Sequence, residues 1–173
     1  AEKRGLLKKD SIIVEATSGN TGIAIAMVGA AKGYKVVIIM PEYMSLERIK
    51  IIRALGAKVI LTPKKGGFIE PVRVSERMAA KNPRVFLPCQ FSNPDNTDCH
   101  YKTTGQEILV QCNGKVDVFV AGIGTGGTLM GVARALREVN PKVKIVAVEP
   151  AESAVMSGES DLRPHDIAGI GDG

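Results

Sequence analysis

The sequence predicts an α/β protein of two lobes, each a mostly parallel β-sheet flanked by helices. Short runs of β-branched apolar residues alternate with longer helical patterns along the chain, which is typical of parallel strands covered on both faces by crossover helices. The alternation breaks between residues 88 and 98, where proline, asparagine and aspartate are frequent. We therefore predict one lobe at 1–93 and a second at 94–173.

Each predicted element has its own sequence signal. The strands share continuous apolar runs and lie at 11–15, 35–39, 58–62, 84–87, 117–121 and 143–148. The helices share longer amphipathic patterns and lie at 21–32, 46–55, 70–81, 100–112 and 128–139. Ser45 is a suitable N-cap, Gly33 and Gly56 suit the left-handed position after a helix, and Asn140-Pro141 ends the last predicted helix.

Composition excludes several classes of function. The 173 residues are 45% hydrophobic and carry a net charge of +5, but the basic side chains are scattered among acids and only 4% are aromatic. A nucleic-acid surface needs clustered basic residues. The longest apolar runs are too short to span a bilayer, and three cysteines and two histidines lack metal-ligand spacing. We therefore predict a cytoplasmic protein without nucleic acid, membrane or metal.

Two glycine-rich turns carry the strongest functional signal. The first spans Thr17 to Gly22 and the second spans Gly122 to Thr128. Each stands between an apolar strand and a helix, so its hydroxyls and backbone N–H groups lie at a helix N-terminus. Unpaired donors and the helix dipole attract anions there. The pair predicts a ligand with two anionic groups, or two anionic ligands.

The second turn leaves alternatives open. Gly122, Gly124 and Gly127 have dinucleotide-binding spacing, and Glu149 ends the next strand, so an NAD(P)- or FAD-dependent oxidoreductase is one hypothesis. The two threonines beside its glycines instead favour a terminal phosphate monoester. A tight turn without a ligand, a simple helix cap at the first turn and a non-catalytic ligand-binding domain are the remaining alternatives.

Seven segments in order carry a family resemblance: 15–22, 40–48, 53–57, 90–94, 122–128, 147–150 and 169–171. Together they resemble the fold type II (β-family) pyridoxal-phosphate enzymes, which share the tryptophan synthase β-like fold, and most closely cysteine synthase, or O-acetylserine sulfhydrylase. The resemblance implies a substrate-binding lobe at 1–93 and a lobe binding the cofactor phosphate at 94–173. Glu149 then ends a strand and holds no ribose.

The resemblance also implies roles for individual residues. Asn20 would bind the ring oxygen of pyridoxal 5'-phosphate. The cofactor phosphate would be held by Gly124, Thr125, Gly126, Gly127 and Thr128. The amino-acid substrate would be bound by Thr17, Ser18, Gly19, Thr21, Gln90, Gly169 and Gly171.

The implied reaction is a β-replacement: O-acetylserine loses acetate to give an aminoacrylate on the cofactor, and sulfide adds to give cysteine. Cystathionine β-synthase, which uses homocysteine, is the alternative within the family. The resemblance implies a homodimer and a complex with serine acetyltransferase. The family's Schiff-base lysine is expected upstream of residue 1, and the rest of the enzyme beyond residue 173. We therefore assign no catalytic residue here and expect an incomplete chain that is inactive alone.

Overall fold

The computed structural model describes residues 1–17, 19–67, 69–160, 163, 165, 167 and 169–171. The chain divides into two compact units, Ala1–Cys89 and Gln90–Gly173. The predicted division between residues 93 and 94 falls close to this point. The assignment of one ligand to each lobe stays a prediction.

The first unit is built on a four-stranded parallel sheet in the order β3-β2-β1-β4. Its strands are β1 (Ile12–Ala16), β2 (Lys35–Pro41), β3 (Lys58–Thr62) and β4 (Val85–Phe86). Its helices are α1 (Asn20–Lys32), α2 (Leu46–Ala54) and α3 (Ile69–Lys81), with short 3-10 turns at Glu2–Arg4 and Lys64–Gly66.

Both faces of this sheet are buried. On one face Ile38 and Met40 pack in a cluster with Ile52 of α2. On the other face Val37 and Ile39 pack with residues of α3. Because successive side chains of a strand point to opposite faces, β2 contributes to both clusters. This double burial explains its unbroken apolar run and confirms the predicted α/β layering.

The second unit has a two-stranded parallel sheet, β5 (Val118–Gly122) and β6 (Lys144–Val148). Its helices are α4 (Pro94–Lys102), α5 (Thr104–Gln111) and α6 (Gly127–Val139), and a 3-10 turn follows at Ala151–Ser153. Its core is formed by Val132 and Leu136 of α6 with Val143. None of the helices in the described part of the chain is long and apolar enough to cross a membrane.

Helix α6 crosses α4 at glycine. A Cβ added at Gly131 would collide with the carbonyl oxygen of Thr97, and would lie 2.7 Å from the Cβ of His100 and 2.8 Å from the backbone nitrogen of Tyr101. The backbones of the two helices therefore approach more closely than any side chain at position 131 permits. This contact packs residues 97–101 of α4 against the first half of α6.

The predicted boundaries agree with the structure within two residues for every strand and for four of the five helices. The Oγ of Ser45 accepts the N–H of Arg48 at 3.3 Å, as expected of an N-cap. Gly33 and Gly56 have φ of 76° and 84°, so both adopt the predicted left-handed conformation. Asn140 is the C-cap of α6.

The fourth predicted helix, at 100–112, is wrong because two helices occupy that region. The first of them, α4, begins at Pro94, where the side chain of Asn93 accepts the N–H of Asp95 at 3.0 Å. Asparagine as N-cap followed by proline is a helix start, and the sequence interpretation took the same residues for a break. Thr103 then leaves helical geometry, with φ −117° and ψ −84°, and separates α4 from α5.

Candidate functional site

Thr17 shapes the first turn from inside. It is 2% exposed, its N–H donates to the carbonyl of Ile39 at 3.0 Å, and its Oγ1 accepts the N–H of Gly19 at 3.2 Å. Its methyl group lies 2.8 Å from the position of a Cβ at Gly22. A side chain at position 22 would therefore displace the turn. The substrate-binding role of Thr17 stays a prediction, and Ser18 lies outside the described residues.

The N-terminus of α1 lacks a side-chain cap. Gly19 is its N-cap and supplies no side-chain cap, and Asn20 is exposed at the first helical position. Among the described residues, no hydrogen-bond partner of the Asn20 carboxamide is found. The guanidinium of Arg48 adds positive charge, because its Nη1 lies 3.6 Å from the position of a Cβ at Gly19. The helix dipole and this cation favour a carboxylate at the turn.

Arg48 is a residue that sequence reasoning did not assign. It lies in the first turn of α2, where the Ser45 cap fixes the helix start. The segment 40–48 contributed to the family resemblance, but only the structure places its arginine beside the first turn.

Cys89, which directly precedes Gln90, has a strained backbone conformation. Cys89 has φ 54°, which non-glycine residues seldom adopt. Its N–H donates at 2.9 Å to a carboxylate oxygen of Glu15, which is 4% exposed at the end of β1. Partial burial, reinforced by the nearby charges of Glu15 and Glu76, raises the pKa of the Cys89 thiol. The role of the Gln90 side chain stays a prediction.

The second turn presents unpaired backbone donors at the N-terminus of α6. Within the part of the chain that the structure describes, the N–H groups of Gly124, Thr125, Gly126 and Thr128 have no acceptor. Gly126 has φ 78° and caps the helix without a side-chain hydrogen bond. A Cβ there would have no atom within 4 Å, so the turn is open on that side. These donors and this space fit a phosphate monoester.

The predicted residues Gly169 and Gly171 lie against the same turn. A Cβ at Gly124 would be 2.5 Å from the carbonyl oxygen of Gly169, and the N–H of Gly171 donates to the carbonyl of Ile123 at 2.9 Å. Ser153 Oγ donates to the Gly171 carbonyl at 3.4 Å. The structure therefore brings these glycines beside the start of the second turn. Their part in substrate binding stays a prediction.

Two side chains of α4 contact hydroxyl groups of the second turn, and the sequence analysis predicted neither contact. Asn96 Nδ2 lies 2.9 Å from Thr125 Oγ1, and His100 Nε2 lies 3.1 Å from Thr128 Oγ1. Asn96 and His100 are four residues apart, on one face of α4. The Asn93-Pro94 helix start is the sequence feature that could have identified these two residues, since a helix that begins at residue 94 places both on one face.

The dinucleotide alternative is weakened at Glu149. Its carboxylate accepts the N–H of Met156 at 2.9 Å, and both the N–H and the Oγ of Ser157, at 2.8 and 2.6 Å. An acid that binds a ribose must offer its oxygens to a ligand, whereas these oxygens hold the turn at 155–158. Among the described residues, no cluster of acids, histidines and cysteines could hold a metal ion.

Glu149 gives the turn at 155–158 a pH dependence. The Ser157 hydroxyl, followed by the Met156 N–H, lowers the pKa of the Glu149 carboxyl from its usual 4.5. A lowered pKa in the folded state means that the stabilisation is complete above the unfolded value and is lost as the pH falls through the folded one. We expect the melting temperature of Glu149→Gln to lie below that of the wild type at neutral pH. The difference should shrink below about pH 4, and a difference independent of pH would contradict this.

Comparisons with known proteins identify the family of the chain. The family model described as "Pyridoxal-phosphate dependent enzyme" matches residues 1–173. All of the chain matches 56% of the "Cysteine synthase" of a Flavobacterium species at 47% identity, and 56% of the "Cysteine synthase A" of Escherichia coli (strain K12) at 50% identity. The chain thus spans about half the length of these relatives.

Solved structures agree with this family. The crystal structure of cysteine synthase from Entamoeba histolytica superimposes with a TM-score of 0.94 at 47% identity, over 100% of this chain and 51% of that one. Sequence and structure agree, and both match the resemblance drawn from the seven segments. The chain belongs to the family of pyridoxal-phosphate dependent enzymes.

Proposed function

We propose that the full-length protein is a cysteine synthase, which exchanges the acetate of O-acetylserine for sulfide. The observation that carries the proposal is the set of N–H groups at Gly124, Thr125, Gly126 and Thr128, which have no acceptor among the described residues and fit the phosphate of the family's cofactor. The 47–50% identity to cysteine synthases supports the reaction.

The second turn holds the cofactor by its phosphate. The N–H groups of Gly124, Thr125, Gly126 and Thr128 donate to the phosphate oxygens, and the dipole of α6 adds to the attraction. The His100 side chain lies within hydrogen-bond distance of the Thr128 hydroxyl and so helps to orient Thr128. When bound, pyridoxal phosphate supplies an electron sink for negative charge at the amino acid's α-carbon.

The first turn binds the amino acid. The Gly19 and Thr21 region of the α1 N-terminus receives the substrate carboxylate, and the nearby charge of Arg48 strengthens this attraction. Asn20 donates from its carboxamide to the ring oxygen of the cofactor. Gln90, Gly169 and Gly171 complete the contacts with the substrate. Each of these roles follows the family resemblance, and the N-terminus of α1, which has no side-chain cap, supports those at the first turn.

The same proposal includes three further properties that the resemblance implies. They are a homodimer, a complex with serine acetyltransferase and a cytoplasmic location. Sedimentation of the full-length protein with and without a serine acetyltransferase tests the first two. A monomer mass for the protein alone would contradict the dimer, and unchanged, separate boundaries for the two proteins in the mixture would contradict the complex.

The activity is tested with Asn20→Ala in the full-length protein. The Asn20 side chain is exposed, so we expect little change in melting temperature. One lost hydrogen bond to a charged group costs roughly 1.5–3 kcal/mol, so cysteine formation from O-acetylserine and sulfide should fall about tenfold or more in kcat. Met27→Ala, exposed on the same helix, is the matched control and should retain full activity.

The same assay separates the alternatives. Product from homocysteine instead of sulfide would favour a cystathionine β-synthase, and oxidation of NADH or NADPH without pyridoxal phosphate would favour an oxidoreductase. Equal losses of activity and melting temperature in Asn20→Ala would mean that Asn20 only stabilises the helix start.

A further inference from the structure

Asn96 joins two parts of the second unit through one amide group. It lies half-buried in the first turn of α4, and its Nδ2 is 3.1 Å from the carbonyl oxygen of Gln90 and 2.9 Å from Thr125 Oγ1. A carbonyl oxygen can only accept a hydrogen bond, so the atom that faces Gln90 must be the nitrogen. The side-chain orientation is therefore fixed, and the second hydrogen of the same nitrogen is donated to Thr125.

This contact decides what the Thr125 hydroxyl can do. A hydroxyl has two acceptor sites and one hydrogen. Thr125 Oγ1 accepts from Asn96 and, at 3.4 Å, from the N–H of Gly127. Both acceptor sites are used, and among the described residues its hydrogen has no acceptor. The hydroxyl can therefore act only as a donor. The hydrogen bonds from Asn96 and Gly127 fix its orientation.

Gly127 makes room for this arrangement. A Cβ at Gly127 would collide with the carboxamide of Asn96. The glycine therefore lets the carboxamide lie directly against the first residue of α6. The dinucleotide-like spacing of the turn has a local explanation here, since this glycine accommodates an asparagine of α4.

We propose that Asn96 is a positioning residue of the phosphate site, which commits the Thr125 hydroxyl to donate to the phosphate and ties that hydroxyl to the peptide of Gln90. This inference rests on the proposed function, because it assumes that the second turn binds the cofactor phosphate. It adds a residue that makes no contact with the ligand. Loss of Asn96 frees the hydroxyl to rotate and to accept, so a bound phosphate loses a fixed donor.

The test compares pyridoxal phosphate with pyridoxal, which carries the same aldehyde and no phosphate. Equilibrium binding to the full-length protein, stripped of cofactor, is measured for Asn96→Ala, Thr125→Val and the double variant. We expect Asn96→Ala to weaken pyridoxal phosphate about tenfold, the loss of one charge-assisted hydrogen bond, and to leave pyridoxal unchanged. In the Thr125→Val background the Asn96→Ala effect should largely disappear, because contacting residues are coupled.

Asn140→Ala is the matched control. Its Nδ2 donates to the carbonyl of Val116 at 3.0 Å, at the other end of α6. This variant should lose a comparable amount of thermal stability and keep its affinity for pyridoxal phosphate. If Asn96→Ala does not fold, Asn96→Leu replaces it, since it keeps a similar branched shape, offers no N–H donor and adds no charge.

The outcomes separate the two proposals. Equal affinity of the wild type for pyridoxal and pyridoxal phosphate would overturn the phosphate site itself, and the proposed function with it. Preference for the phosphate in the wild type, with an unchanged or additive Asn96→Ala effect, would overturn only the role of Asn96. An affinity loss in Asn140→Ala equal to that of Asn96→Ala would do the same, because the effect would then follow stability.

Discussion

Replacement of Gly131 by alanine is expected to destabilise the second unit by more than about 3 kcal/mol. Overpacking a core costs roughly 1–3 kcal/mol where side chains can shift. At Gly131 the new methyl group would meet the carbonyl of Thr97, the Cβ of His100 and the backbone nitrogen of Tyr101. Backbone atoms of a packed helix cannot move individually, so α4 and α6 must separate. Denaturant unfolding followed by circular dichroism measures the change.

The sign of this effect is what makes it diagnostic. In a helix without a close neighbour, glycine to alanine stabilises by about 1 kcal/mol. An increased free energy of unfolding for Gly131→Ala would therefore contradict the close crossing. Met130→Ala is the control on the same helix, since Met130 is exposed. It should change the free energy of unfolding by less than about 0.5 kcal/mol, as surface substitutions do.

Replacement of Gly126 by alanine should weaken pyridoxal phosphate about a hundredfold in the full-length protein. The added methyl group occupies the open side of the turn, next to the N–H groups that have no acceptor among the described residues and that we propose to bind the phosphate. Displacing the phosphate from one or two charge-assisted hydrogen bonds costs roughly 1.5–3 kcal/mol each, and 1.4 kcal/mol is tenfold in affinity. Titration of the cofactor-free protein by absorbance measures the loss.

Backbone strain must be separated from the loss of space. Gly158 has φ 89° and, like Gly126, no atom within 4 Å of an added Cβ. Alanine in the left-handed conformation costs roughly 1–2 kcal/mol at either position, so both variants should lose similar stability. Only Gly126→Ala should lose cofactor affinity. Equal affinity losses in the two variants would show that strain alone is responsible.

Local patterns were enough to predict much of the fold. The unbroken β-branched run of β2 identifies it as a strand because it is buried on both faces, as Val37 and Ile38 show. Ser45 and Gly33 mark helix ends because the capping chemistry is contained within a few residues. The two turns could be found for the same reason, since their donors, hydroxyls and glycines are contiguous in the chain.

The supports of the site could not be predicted, because they depend on tertiary contacts. Asn96 reaches Thr125 only because α4 and α6 touch at Gly131, and nothing in the local sequence specifies that crossing. The Arg48 side chain lies beside Gly19 for the same kind of reason. The boundary at Thr103 was missed because a single non-helical residue leaves no break in the hydrophobic pattern.

The strand order of the first unit also governs the sequence of events during folding. Ile12 pairs with Lys35 of β2 and with Val85 of β4, and the second pairing closes a loop roughly threefold longer. The entropic cost of closing a loop of n residues grows as (3/2)RT ln n, so closing the longer loop costs about 1 kcal/mol more. Only two pairs of residues offset that cost, Ile12 with Val85 and Ile13 with Phe86. We therefore expect β4 to dock last, so that Cys89 gains its contact with Glu15 only when the rest of the sheet has formed.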